Sequence, residues 1–328
     1  MCVLKPCSAS LRGGILLLAL AAIFETAYTT TSEWNRPPSA FPTCRGNGTF
    51  VPAILCSGGK GTKKTCCIPS KTQKLIPHSK AAILANMQCG VPGKVKQLQS
   101  GTHAQPGEFP WMALVEITKT KSVLFCDGTP IHPRYVLTAA NCISSYTIRQ
   151  LKVSLGRHDL RQGSKCPTPS KCQIPVAKKF TRQGHDIGLL RLSKSAALIA
   201  GVVQPICLPI YDHLRVHLPA RLAVSGWGMY DGQKHYSLQK TNMQVLQRPS
   251  GCEIVNSFCA GGNSSTNHCV GDTGGPLQAR DIYGSDVRYV QYGVYSARQR
   301  NCENPSKPSK GMLVGYYMTW ILNKMKLS

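Results

Sequence analysis

Acidic residues are scarce in this chain of 328 residues. Asp and Glu number 14 against 39 Lys and Arg, which gives a formal charge of +25 at pH 7. Charged residues make up only 16% of the sequence, below the usual quarter or so, so the imbalance comes mainly from missing acids. Hydrophobic residues at 42% suffice for a buried core, which excludes wholesale disorder.

The sequence also lacks the patterns of metal-binding and multi-span membrane proteins. It has no Cys-x-x-Cys pair and no Cys/His cluster with zinc spacing, so we expect neither a metal nor a cofactor. Its one apolar run, Ile15–Phe24, lies near the N-terminus. A protein that crosses the membrane several times is therefore excluded.

This apolar run has the form of a secretory signal peptide, with a signal anchor as the alternative. Lys5 and Arg12 precede it, and Ala27 is a reasonable last residue, so we assign residues 1–27 to the signal. Their removal takes away two cations and one acid and leaves a charge of +24. Two of the 16 cysteines also leave, and the even remainder predicts seven disulfides in an oxidising compartment.

A compact cysteine module at 44–67 follows a polar segment at 28–43. The module is too small to bury a core, so disulfides must stabilise it. Adjacent Cys66 and Cys67 rarely pair with each other, so we expect two bridges that join them to Cys44 and Cys56, in an order left open. Glycosylation sequons begin at Asn47 and Asn263, which is typical of surface loops in secreted proteins.

Residues 68–96 are predicted to be a solvated basic linker. They contain five lysines and no acid, and their apolar periodicity is weak. The lysines either serve solubility or offer a cleavage site to a trypsin-like enzyme.

Short β-rich runs separated by turn residues fill the region 97–328. This spacing predicts an all-β barrel or sandwich. Near the end, apolar residues at helical spacing predict one C-terminal helix over Gly315–Met325 that packs on the barrel. The helix residues expected to be buried are Met318, Ile321, Leu322 and Met325. The expected strands are Trp111–Thr118, Ser122–Cys126, Tyr135–Ala139, Leu151–Leu155, Ile187–Leu192, Leu222–Ser225, Asn242–Leu246 and Arg288–Ser296.

Four segments of this region resemble the chymotrypsin-like serine proteases. In order they are Phe109-Pro110-Trp111, LTAANC at 137–142, HDIGLL at 185–190 and CVGDTGGPL at 269–277. With the signal and the cysteine module, the chain resembles an arthropod clip-domain serine protease homologue. That module has four cysteines where clip domains usually have six. The resemblance implies two antiparallel six-stranded Greek-key β-barrels with a C-terminal helix, after a small disulfide-knotted clip-like module.

The family's catalytic triad is degenerate in this sequence. Asp186 stands at the carboxylate position, Asn141 where the motif TAAHC has histidine, and Thr273 where GDSGG has serine. An amide cannot accept a proton near neutral pH, so we expect no enzyme activity. The backbone amides of Gly271 and Thr273 would still form the oxyanion loop. An active serine endopeptidase with atypical catalytic residues is the alternative, although His185 next to Asp186 should point away from the nucleophile.

The substrate pocket and the activation region also depart from the family pattern. Asn267 stands where trypsin-like pockets have Asp. In the pocket wall, Arg298, two residues after Ser296, stands where the family has glycine. The Arg298 side chain either blocks the mouth of the pocket or turns into solvent. Relatives are cut before a motif like IVGG, and the new amino terminus pairs with an aspartate. The corresponding residues here are Lys96, Gln97, Leu98 and Asp272.

The resemblance also implies five disulfides outside the cysteine module. They are Cys89–Cys207, Cys126–Cys142, Cys166–Cys172, Cys252–Cys259 and Cys269–Cys302.

The leading hypothesis is a secreted, extracellular pseudoenzyme of haemolymph. The family implies a binding or cofactor role in an immune proteolytic cascade of the melanisation (prophenoloxidase) type, with extracellular serine proteases or their substrates as partners. The alternative is a microbe-surface recognition protein whose positive charge binds polyanions, unless that charge only maintains solubility. No specific nucleic-acid motif is present.

Overall fold

The described residues form mainly short antiparallel strands with few helices, as the turn spacing predicts. The chain divides into two units, Met1–Gln73 with Gly284–Asp286 and the remainder. The computed structural model describes residues 49–52, 64–67, 73–93, 103–119, 123–162, 172–230, 233–234, 236–246, 256–261, 273–296 and 308–327.

The described residues of the first unit include an antiparallel pair of strands within the predicted cysteine module. Strand β1 spans Thr49–Pro52 and β2 spans Lys64–Cys67. Cys66 lies opposite Phe50 and Cys67 opposite Thr49 in the ladder. The expected bridging partners Cys44 and Cys56 lie outside the described residues.

Six strands of the second unit form a closed antiparallel barrel in the order β3-β4-β5-β8-β7-β6. Val115 of β3 and Val153 of β6 are cross-strand partners at the closure and are fully buried. The strands are β3 (Ala113–Thr118), β4 (Val123–His132), β5 (Tyr135–Thr138), β6 (Leu151–Leu155), β7 (Gln173–Arg182) and β8 (His185–Leu192).

A second six-stranded sheet has the order β12-β9-β14-β15-β16-β13. An isolated bridge between Val245 and Ala260 joins its two outer strands, which makes this sheet barrel-like as well. Its strands are β9 (Arg221–Gly226), β12 (Gln239–Gln244), β13 (Ser257–Ala260), β14 (Pro276–Tyr283), β15 (Asp286–Ser296) and β16 (Ser309–Leu313). The hairpin of β10 (Met229–Tyr230) and β11 (Gln233–Lys234) is separate from both sheets.

The described residues contain three α-helices: α1 (Ala81–Ala85), α2 (Asp212–Val216) and α3 (Val314–Lys324). The predicted C-terminal helix is confirmed as α3, and its four expected apolar residues are each at most 1% exposed. Among the described residues, no helix is long and apolar enough to span a membrane. The expected fold class is thus confirmed.

Buried side-chain hydrogen bonds connect the first barrel to the second sheet. The Trp111 indole N–H, just before β3, donates to Gln278 Oε1 of β14 at 2.6 Å. Thr129 Oγ1 of β4 donates to Gln291 Oε1 of β15 at 2.6 Å. Polar groups buried in this way must be paired, so these contacts fix the relative position of the two sheets.

The prediction of a solvated linker over 68–96 is wrong for the described residues of that range, 73–93. Ile76, Ala81 and Leu84 are at most 4% exposed and belong to the core of the second unit. Lys80 Nζ donates to the carbonyls of Leu322 and Met325 at 2.9 and 2.6 Å. The last carbonyls of a helix have no partner within the helix, and a cation is favourable there, so this lysine is bound by protein and not by solvent.

Replacement of Lys80 by Gln should destabilise the protein. The shorter neutral side chain loses two charge-assisted hydrogen bonds at the end of α3, which we expect to lower the free energy of unfolding by about 1 kcal/mol. Urea denaturation measures the change. The matched control is Lys74→Gln at an exposed position, expected to stay within about 0.5 kcal/mol; equal effects of both variants would contradict the capping role.

The disulfide Cys89–Cys207 predicts how fragments behave after proteolysis. This bridge joins positions 118 residues apart and anchors the segment just before Lys94 and Lys96 to the second unit. Cleavage at either lysine should leave both fragments joined on a denaturing gel until reduction. The cleaved fragments of the double variant Cys89→Ser/Cys207→Ser should separate on the same gel without reductant. Separation of the fragments of the unmodified protein without reductant would contradict the tether.

Candidate active-site positions

Asp186, at the second position of β8, is the centre of the site. Its Oδ1 accepts a hydrogen bond from the backbone N–H of Asn141 at 2.8 Å. Its Oδ2 accepts one from the hydroxyl of Ser296 at 2.6 Å. Each carboxylate oxygen therefore has a donor, one from the first barrel and one from the end of β15.

Asn141 lies in a 3-10 turn, Ala140–Cys142, that directly follows β5. The side chain is exposed, and the disulfide Cys126–Cys142 ties the turn to β4. The backbone of the turn thus brings position 141 to the carboxylate as the sequence predicts. The group placed there is an amide, which has no basic nitrogen to accept a proton.

Thr273 lies in a tight turn that packs against β4. It is 8% exposed, and its carbonyl accepts a hydrogen bond from Asp127 N–H at 2.9 Å. The next residue, Gly274, has φ +91°, and a Cβ there would lie 2.2 Å from the Asp127 carbonyl oxygen. Only glycine fits this position, so the turn keeps its close approach to β4 although the nucleophile position carries threonine.

His185, the residue before Asp186, contacts Asn256 and Tyr317. Its Nδ1 accepts a hydrogen bond from the side-chain amide of Asn256 at 2.7 Å, and the Tyr317 hydroxyl lies 2.9 Å from the same nitrogen. The ring also packs edge-on against Tyr317, with centroids 5.6 Å apart. These contacts hold His185 toward β13 and α3, in agreement with the expectation that it points away from the nucleophile.

Lys179 of β7 is a site residue that the sequence did not reveal. Its Nζ donates to the carbonyls of Ile143, Ser144 and Tyr146, which follow the Asn141 turn. The ammonium group thereby fixes the loop that positions Asn141. A lysine in a charged strand gives no signal of this role, because its partners are backbone carbonyls more than 30 residues away.

Several predicted positions lie outside the described residues. These are the pocket residues Asn267 and Arg298, the oxyanion-loop residue Gly271, the activation-region residues Lys96, Gln97, Leu98 and Asp272, and the sequon residues Asn47 and Asn263. Ser296 is described, and it binds Asp186. The structure contains the implied bridges Cys89–Cys207 and Cys126–Cys142. Cys172 and Cys259 are also disulfide-bonded, while their implied partners Cys166 and Cys252, and the pair Cys269–Cys302, lie outside the described residues.

Comparisons with known proteins identify the family and the fold. Serine protease grass of Drosophila melanogaster is 29% identical over 84% of this chain and 80% of its own length. Phenoloxidase-activating factor 3 of Holotrichia diomphalia is 31% identical over 85% of this chain and 84% of its own length. The crystal structure of the Drosophila Grass clip serine protease of the Toll pathway covers 85% of this chain and 94% of its own, with 26% identity and a TM-score of 0.64.

The relatives also include the CLIP domain-containing serine protease B10 of Anopheles gambiae, 27% identical over 79% of this chain. The trypsin family model matches residues 98–321, which contain both six-stranded sheets and all three triad positions. The chain therefore belongs to the trypsin family, and insect CLIP-domain serine proteases are among its relatives.

Proposed function

We propose that this protein is a catalytically inactive serine protease homologue that acts through binding. The observation that supports this most directly is the contact between Asn141 and Asp186. The carboxylate that orients the catalytic imidazole in an active enzyme bonds to the backbone of a residue whose side chain is an amide. The scaffold of the triad is present, and the base is absent from it.

The chemistry left at this site is too weak for a protease. Attack by a hydroxyl needs a base that removes its proton, and the neighbouring His185 is engaged with Asn256 and Tyr317. The extra methyl of Thr273 further crowds the approach to a substrate carbonyl. Serine proteases without a working triad keep roughly 10³–10⁴ of rate over water from the oxyanion hole and binding. This residual rate was established for serine proteases of the same family. It is too low for a step in a proteolytic cascade.

The relatives indicate where such a binding protein would act. They include a phenoloxidase-activating factor and a clip protease of the Toll pathway. We therefore assign this chain to the regulation of an extracellular immune cascade of the melanisation type, with serine proteases or their substrates as partners and haemolymph as its location. A rigid two-barrel scaffold with variable loops suits docking of this kind.

The secreted protein should neither hydrolyse peptide substrates nor react with a serine-directed fluorophosphonate. Both reactions require a hydroxyl activated by a base, which Asn141 and Thr273 do not provide. Mass spectrometry of the treated protein measures the labelling, with trypsin as the positive control. Stoichiometric labelling at Thr273 would exclude the inactive state.

Restoration of two triad residues distinguishes the effect of the altered triad on activity from the effect of the altered substrate pocket. The double variant Asn141→His/Thr273→Ser places an imidazole beside Asp186, but Asn267 and Arg298 remain. We expect no efficient cleavage after Lys or Arg, because the pocket offers no negative charge to those side chains. Cleavage of Arg-containing peptides by this variant would show that our interpretation of the pocket is wrong.

Ser296→Ala tests whether Asp186 serves the fold in the absence of catalysis. Ser296 is 6% exposed, and its loss leaves one carboxylate oxygen without its donor, so the free energy of unfolding should fall by about 1–2 kcal/mol. Thermal and urea denaturation report the change. The control Ser193→Ala at an exposed position should have an effect within about 0.5 kcal/mol; an unchanged stability of Ser296→Ala would argue against a structural role.

A further inference from the structure

Two cations lie directly opposite each other on one face of the first barrel. Lys178 of β7 pairs with Arg191 of β8, and Arg191 pairs on its other side with Tyr135 of β5. Directly opposite residues of antiparallel strands project to the same face of the sheet, so the two charges are neighbours. Like charges in this arrangement destabilise the pair unless something compensates for them.

Three more cations lie on segments that contact or continue β5 and β8. Arg134 Nη2 donates to the carbonyls of Leu192 and Ser193, which places its guanidinium at the end of β8. Lys194 follows there and is exposed. The backbone N–H of exposed Lys326 donates to the hydroxyl of Tyr135, the cross-strand partner of Arg191. We call these five residues the basic face: Arg134, Lys178, Arg191, Lys194 and Lys326.

No acid compensates for the basic face within the described part of the chain. The described ion pairs, Arg161–Asp159, Arg215–Asp212 and Lys240–Glu108, involve other residues. Asp186, the one acid on β5, β7 and β8, accepts its bonds from Asn141 and Ser296. A cluster of this kind is stabilised by an anion that supplies the missing charge.

We propose that the basic face binds an anionic polysaccharide that carries sulfate or carboxylate groups. A linear chain of regularly spaced anions matches cations spread over two adjacent strands, the turns before β5 and after β8, and the C-terminal segment. This binding extends the proposed function and does not depend on it, because the basic face is made of residues that take no part in the triad.

The aromatic residues beside the basic face favour a polysaccharide over single-stranded nucleic acid. Lys178 Nζ lies 5.3 Å from the ring centroid of Phe180. Arg182 lies 6.0 Å from the ring of Tyr316 and 5.6 Å from that of Tyr317. Proteins that bind single strands without sequence preference rely on aromatic rings open to the bases. Here Tyr317 is fully buried, and cations of the protein lie over the rings of Phe180 and the half-exposed Tyr316, so charge is the main feature that this surface offers to a ligand.

The test uses the full secreted protein and heparin as the probe, with affinity measured by calorimetry at several salt concentrations. The double variant Lys178→Gln/Arg191→Gln should bind heparin about tenfold more weakly at 0.15 M salt, since surface charge pairs contribute up to about 1 kcal/mol each. The matched control, Arg221→Gln/Arg288→Gln, removes two charges from the second sheet and should change the affinity less than twofold. Binding of the unmodified protein should weaken as salt rises.

If both double variants bound heparin equally weakly, net charge alone would account for heparin binding, and the basic face would not be the binding site. Should Lys178→Gln/Arg191→Gln fail to fold, Lys194→Glu in the exposed turn after β8 must weaken binding in its place. The protein could instead bind oligodeoxythymidylate or anionic phospholipid vesicles more tightly than heparin. If Lys178→Gln/Arg191→Gln abolished that binding, the assignment to polysaccharide would be wrong. Because these measurements do not involve hydrolysis, failure of this proposal and failure of the inactive-homologue proposal are distinguishable.

Discussion

One carboxylate joins the two six-stranded sheets at the point where the family places its chemistry. Asp186, at the second position of β8 in the first barrel, binds Ser296 at the end of β15 in the second sheet. Its other oxygen fixes the turn that presents Asn141. The geometry of the site is therefore maintained by contacts that the fold needs, whatever side chain stands at position 141. The arrangement around position 141 therefore does not depend on an imidazole there.

The scarcity of acids determines how the many cations are accommodated. Lys179 and Lys80 donate to backbone carbonyls at the ends of a turn and a helix. Arg182 and Lys119 lie over aromatic rings. Carbonyl oxygens and ring faces carry only partial negative charge, so these contacts organise the backbone without neutralising the protein. The positive field remains available to partners.

The sequence predicted the parts of the fold that depend on local pattern. Helix α3 was predicted because its apolar residues repeat with helical spacing, and the triad positions because short motifs mark them. Strand β7 was not predicted, because its sequence QIPVAKKFTR combines proline with charged residues. Its position depends on pairing with β6 and β8. The packing of Lys74–Gly93 was also missed. Its few apolar residues, Ile76, Ala81 and Leu84, show only weak periodicity, and their burial depends on contact with the rest of the second unit.

The bridge between Cys89 and Cys207 has a consequence for binding strength. A cut in the region 94–102 breaks the chain, but everything N-terminal to it remains covalently attached to the protease-like domain. The cysteine module and the domain would then act as two linked ligands. When two ligands are covalently linked, binding of the first raises the effective concentration of the second at the same target. Two weak contacts can in this way give a durable complex, and reduction of a single disulfide would dissolve it.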